Sequence, residues 1–210
     1  MKSQSIISER FGTNFLLDLF TIRIPYIAKL DLMRIGCHFG ASQQSMKSQL
    51  SRGWKAGLIR RTMVNAATEK SGSPIYFGPS VELIRKAAKA LTDREALLRN
   101  SSRIPTEVIS IGPLTAGLMG KSLSRPDKVV MEASLRLSQA FVYHVEDGND
   151  IRSWRLLDQS SILTRQAMAA VVKYGKNERK KLVIVPIVNR SKHIRLFEDL
   201  QKQGGEYEVW

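Results

Sequence analysis

The 210 residues predict an α+β protein: a bundle of three N-terminal helices closed by a hairpin, a linker helix, and a small C-terminal α/β unit with a mixed sheet. Three observations carry that prediction. Apolar residues recur at helical spacing from Asn14 to Ala56. Two strand-prone runs then flank a polar stretch, and beyond residue 106 helical and strand patterns are mixed, ending in strand, helix, strand. The expected boundaries are 1–80, 81–105 and 106–210.

Phe15, Leu16, Leu17 and Phe20 mark a first helix from Asn14 to about Ile24. Pro25 opens a second, carrying Ile27, Leu30, Leu32, Met33 and Ile35 to Gly36. After a Gly-bounded break, Ser42 caps a third helix running to Ala56, with Met46, Leu50 and Trp54 as its inward stripe. Gly57 stops it, Leu58–Val64 has strand propensity, and Pro74–Phe77 is the expected second strand of the hairpin. Residues 81–100 form a long helix that serves as a linker or a dimerisation element, and Ser101–Pro105 breaks it.

In the last unit, Glu107–Ile111 reads as a short strand and Pro126–Gln139 as a helix. Phe141–Val145 and Ile151–Leu157 read as a hairpin about Asp147-Gly148. Ser160–Tyr174 reads as a helix stopped by Gly175, and Lys176–Lys181 as a solvated basic loop. Leu182–Val188 is a nearly continuous apolar run, the mark of a strand covered on both faces. A helix over Ser191–Gln203 then leads to a final strand at Tyr207–Trp210, which suggests a parallel crossover.

The charge narrows the function. Lys and Arg number 33 against 19 Asp and Glu, a formal charge of +14. Residues 1–80 hold 11 basic and 4 acidic side chains, so they are the richer in uncompensated positive charge. A surplus of this size suits a polyanion, because each phosphate neutralised releases a condensed counterion. The single cysteine, Cys37, excludes an internal disulfide framework and a thiolate zinc site, and its apolar neighbours Ile35 and Phe39 suggest a buried structural thiol. No stretch has the length or apolarity to span a bilayer, and the N-terminus lacks a signal-peptide core, so a cytoplasmic, reducing compartment is expected.

With Met46, Leu50 and Trp54 inward, the third helix presents Gln44, Lys47, Ser48, Ser51, Arg52 and Lys55 outward, a face without an acid. Gln suits adenine edges, Lys and Arg suit guanine, and Ser suits base edges or phosphate. Gln43, Gln44 and Lys47 stand at the helix start, where bases are read; Arg52 and Lys55 lie further along, towards phosphate. Arg60, Arg61 and Lys70 on the hairpin would meet the backbone or the minor groove.

The phrase from Ser42 to Arg61, ending Gly57-Leu58-Ile59-Arg60-Arg61, resembles the recognition helix and first wing strand of winged helix-turn-helix DNA-binding proteins. The likeness covers about residues 14–79 and implies a double-stranded DNA partner, commonly bound by a homodimer on a partly palindromic site. The domain order is similar to that of the plasmid replication-relaxation family. Some of its members look like relaxases with a restriction-endonuclease-like second domain. That alternative implies a metal-dependent nuclease using Glu132, Asp147 and Asp158, with Glu146 and Asp150 nearby. The sequence departs from it at the chemistry: Ile151–Leu157 offers Arg152 and Arg155 where acid-X-Lys is needed, and Asp158 precedes Gln159 and Ser160.

Other chemistries find less support. His38, His144 and His193 have no ligand spacing, and no metal or cofactor is expected. Gly117-Leu-Met-Gly-Lys-Ser ends like a phosphate loop, but its glycines are three apart instead of five. Nothing near Tyr143, Tyr174 or Tyr207 activates a tyrosine nucleophile. The expectation is a sequence-specific DNA-binding protein, either a transcriptional regulator or an origin or transfer accessory factor. Its C-terminal unit would supply dimerisation, a protein-partner surface, or a second DNA contact through Arg165, Lys173, Lys176, Arg179, Lys180 and Lys181.

Overall fold

The computed structural model describes residues 24–67, 74–76, 78, 80–118, 127–148, 151–157, 166–177, 179–187, 192–204 and 206–210. Among them the order is β1 (Tyr26–Ala28), α1 (Lys29–His38), α2 (Gln43–Lys55), β2 (Ile59–Ala67), α3 (Val81–Asn100), β3 (Arg103–Ile111) and α4 (Pro113–Leu118). Then follow α5 (Lys128–Glu146), β4 (Ile151–Leu156), β5 (Ala167–Tyr174), β6 (Arg179–Pro186), α6 (His193–Gln203) and β7 (Tyr207–Val209). The architecture is mixed α+β with two sheets. The expected first helix, Asn14 to Ile24, lies almost wholly outside the described residues.

The first sheet has the order β1-β3-β2 and is antiparallel throughout. The hairpin partner of β2 is β3, paired from Ile59↔Ile111 to Ala67↔Arg103, and not the expected strand at Pro74–Phe77. Ile75 instead makes an isolated bridge to Val209. The chain between the paired strands therefore includes the whole of α3. Pro105, which has no N–H to give, is tolerated because β1 pairs with β3 only at Val108–Ser110, leaving β3 an open side at Pro105. The turn from α2 into β2 depends on Gly57, at φ +70°, and on Gly112, whose missing side chain lets the Gly57 carbonyl come close. Gly112 N–H also donates to the Leu58 carbonyl at 2.8 Å.

The second sheet has the order β4-β5-β6-β7 and is mixed: β7 runs parallel to β6, the other pairs antiparallel. The apolar run at Leu182 is the interior strand β6, and α6 makes the crossover to β7. Side chains alternate along β5 and β6. Ala170, Val172, Val183 and Val185 face one core, while Ala167, Ala169 and Ile184 face another.

The first core is organised on α5. Asp127 caps that helix, accepting from the Val129 N–H at 2.8 Å, and Leu137 and Phe141 are fully buried. Burying a Phe or Leu side chain stabilises by about 1.5–3 kcal/mol. This core joins Ile27 of β1, Leu32 and Ile35 of α1, and Met46 and Leu50 of α2 to Trp154, Val183 and Trp210, so it runs unbroken across residue 106, a position inside β3. The second core packs Ile84, Ala87, Ala88 and Leu91 of α3 against Leu196, Phe197 and Leu200 of α6. Helix α3 is thus a packed layer over the second sheet.

Three further expectations need correction. Phe141–Val145 is the last turn of α5, because Leu137, Phe141 and Val145 continue one helical stripe; Asp147-Gly148 ends that helix instead of turning a hairpin. Ala167–Tyr174 is strand, not helix: Ala-Met-Ala-Ala-Val-Val fits either period, and its place between two strands decides. Lys176 lies in the β5–β6 turn, and Arg179–Lys181 opens β6. Cys37 is half-buried. No helix among the described residues is long and apolar enough to cross a membrane.

Candidate nucleic-acid interface

Helix α2 is set by local chemistry. Ser42 adopts the extended N-cap conformation and its hydroxyl accepts from the Ser45 N–H at 3.1 Å. The Gln49 amide donates to Ser45 Oγ at 3.2 Å, tying the first turns together. A break of four residues separates α2 from α1, with the Ala41 N–H donating to the Gly36 carbonyl at 3.0 Å.

Met46 and Leu50 are buried as expected, but Trp54 is 51% exposed. The third inward position is Gly53. At 3.6 residues per turn, a residue seven positions after Met46 returns to its face, whereas one eight positions after has drifted by roughly 80°. Trp54 therefore stands at the edge of the helix, where the Arg61 guanidinium lies 5.5 Å from its ring centroid.

Gln43, Gln44, Lys47, Ser48, Arg52 and Lys55 are exposed, and Ser51 is half-buried. Residues 44, 47, 48, 51, 52 and 55 form one stripe about 17 Å long on an α-helix. Lys47, Arg52, Lys55 and Arg60 have no ion-pair partner among the described residues. Lys70 lies outside those residues.

Arg60 and Arg61 differ although adjacent. They point to opposite faces of β2. Arg61 reaches Glu107 of β3, and Lys29 reaches the same carboxylate at 2.6 Å from the first position of α1. Both cations stabilise the charged form: the Arg61 hydrogen bond, working against partial burial and aided by Lys29, holds the Glu107 carboxyl below its ordinary range. Arg61 is thus a strut between strands, whereas Arg60 beside it on β2 has no ion-pair partner among the described residues. The acid-free reading of the helix could not reveal Glu107, which arrives from 46 residues further along the chain.

A second charged cluster is buried. Glu208, with no exposed surface, meets His144 Nε2 at 2.9 Å and Lys181 Nζ at 3.5 Å, and accepts from the Trp210 indole N–H. Burial pushes its carboxyl up, but His144, Trp210 and Lys181 together outweigh burial and hold it below its ordinary value. Lys181 also lies over the rings of Tyr76 and Tyr174 at 5.4 and 5.5 Å, so it belongs to this cluster and not to a solvated basic surface. Lys176, Arg179 and Lys180 are exposed and Lys173 is half-buried; Arg165 lies outside the described residues. His144 thus sits inside a helix in the core, where the sequence pattern suggested a strand.

The nuclease alternative places Glu132 and Asp147 in one site. Glu132 lies near the start of α5 and Asp147 is its C-cap, about 22 Å apart along the helix axis, so they cannot share a metal ion. Glu132 faces Arg103 at 3.8 Å, and Glu146 faces Arg34 at 3.8 Å. Asp150 and Asp158 lie outside the described residues. Among the described residues there is no group of three or more His, Cys, Asp or Glu side chains placed to hold a metal. The chain matches no family model, no curated protein and no solved structure, and the candidate interface is therefore defined by its own geometry.

Proposed function

We propose that the protein binds double-stranded DNA in a sequence-dependent way, with α2 in the major groove and Arg60 on the phosphate backbone. The carrying observation is the exposed stripe from Gln44 to Lys55, which holds cations without acidic partners among the described residues on a helix locked from behind by Met46 and Leu50. A helix of this kind fits the major groove, and its amide and cationic side chains match base edges and phosphates. Two helices joined by a short break, the second followed directly by a strand of an antiparallel pair, support the winged-helix reading, although the strand's partner β3 comes only after α3. In that reading the chain acts as a transcriptional regulator or as an accessory factor at a replication origin or transfer site, as a homodimer on a partly palindromic sequence.

Site selection from random duplexes, followed by fluorescence anisotropy over a salt series, tests this. A defined motif is expected, with affinity falling steeply as salt rises. The double variant Gln44→Ala/Lys47→Ala should relax base preference, each lost base contact removing about 1–3 kcal/mol of discrimination. Equal affinity for all duplexes, or none at low salt, would refute the assignment.

A further inference from the structure

A cleft of about 220 Å³ opens between α3, α5 and the ends of β2, β3 and β6. Three elements each bring an arginine to its lining: Arg99 from α3, Arg103 from the first position of β3, and Arg136 from α5. Two carboxylates share the lining, and both face other groups. Glu132 faces Arg103 at 3.8 Å, and Glu95 faces the buried His193 at 3.5 Å. The Arg103 contact is longer than a hydrogen bond, so a better-placed acceptor would displace it. Arg99 has no ion-pair partner among the described residues. Leu98, Val129, Leu135, Pro186 and Ile187 supply an apolar wall. No residue of α2 takes part, so the cleft is separate from the proposed DNA face.

These features specify a ligand class. Guanidinium forks match the paired oxygens of carboxylate and phosphate groups, and an apolar wall beside them favours a ligand with both characters. The volume is that of about seven liquid waters, enough for one ring and one oxyanion but too small for a polymer segment. We infer that the cleft is a binding site for a small molecule that joins one carboxylate or phosphate to an apolar, ring-sized body. The inference stands apart from the DNA reading, since binding is measured without DNA.

Titration calorimetry on the full chain tests it, with phenyl phosphate and benzoate as probes and inorganic phosphate as the ring-free comparison. One of the two ring-bearing probes should bind saturably with one site per chain, and which one binds identifies the oxyanion. Arg99→Ala should weaken that probe about tenfold, the scale of one charge-assisted contact. Glu132→Gln should tighten it several-fold, because it removes a competing carboxylate and releases Arg103. The two variants move affinity in opposite directions, so damage to the fold cannot mimic the pattern, and circular dichroism checks each one. Saturable uptake of neither probe, equal affinity for inorganic phosphate, or indifference to both substitutions would overturn the inference.

Discussion

The stripe on α2 and the cluster around Glu208 use similar side chains to opposite ends. On α2, Lys47, Arg52 and Lys55 are exposed and have no acidic partner among the described residues. Around Glu208, one carboxylate with no exposed surface is met by His144 of α5, Lys181 of β6 and Trp210, which follows β7. A solvated cation retains its charge for a partner outside the molecule. A buried, paired charge has already given up its hydration, and its interactions are with the fold. The pairing and hydration of a charge, more than its residue type, separate a binding surface from a structural joint.

The sharpest way to break this comparison is Glu208→Ala. Removing the carboxylate leaves the His144 and Lys181 groups facing an emptied buried site, and loss of one partner of such a cluster typically costs about 3–5 kcal/mol. Urea denaturation should show a loss of that size, whereas Lys47→Ala should stay within about 0.5 kcal/mol of the parent chain. The pH dependence has a definite sign. The folded-state pKa of Glu208 is depressed, so its contribution is present above the ordinary glutamate range and is lost as pH falls through the folded value. The stability gap between the parent chain and Glu208→Ala should therefore narrow on acidification. A gap that is constant with pH would remove the cluster from the account of stability.

The two adjacent arginines offer a finer version of the same contrast. Arg60→Ala should weaken duplex binding several-fold for every sequence and reduce the slope of log affinity against log salt by about 0.9, one phosphate contact, with stability unchanged. Arg61→Ala should lower stability by about 1 kcal/mol, through loss of the Glu107 pair and the Trp54 stacking, and leave the salt slope near its parent value. If both substitutions flatten the slope equally, Arg61 exchanges Glu107 for phosphate on binding and is a contact residue after all.

What the sequence made legible follows the range of the interactions. The cap at Ser42, the stop at Gly57 and the buried positions Met46 and Leu50 are decided within a few residues, and each is found where the pattern places it. The parallel crossover at the end of the chain was legible for a similar reason: an uninterrupted apolar strand, a helix and a strand leave few arrangements. The partner of β2 was not, because it lies beyond a 20-residue helix and no local signal favours Arg103–Ile111 over Pro74–Phe77. Trp54 misled because spacing by fours drifts around a helix with 3.6 residues per turn. Glu107 and Glu208 were invisible as site-shaping acids, since only strand pairing brings them beside their cations.

The smallest expected effect concerns Asp31, which is buried on α1 where that helix meets α5. Ser138 of α5 donates to its Oδ2 at 2.9 Å. Burial dominates here: it raises the Asp31 pKa, and the Ser138 hydrogen bond and Arg34 reverse this only in part. A carboxyl whose folded pKa is raised binds its proton more tightly in the folded state. Stability is thus greatest in acid and falls as pH rises from the unfolded aspartate value through the folded one. Asp31→Asn keeps an oxygen to accept from Ser138 but cannot ionise. It should stabilise the chain at neutral pH, on the order of 1 kcal/mol, the scale of an incompletely satisfied buried polar group. The gain should disappear in thermal melts taken below about pH 4. A gain that persists in acid would mean that repacking, not the buried charge, had changed. A loss at neutral pH would mean that ionised Asp31, held by Ser138 and Arg34, fastens α1 to α5, giving this joint the paired character of the Glu208 cluster.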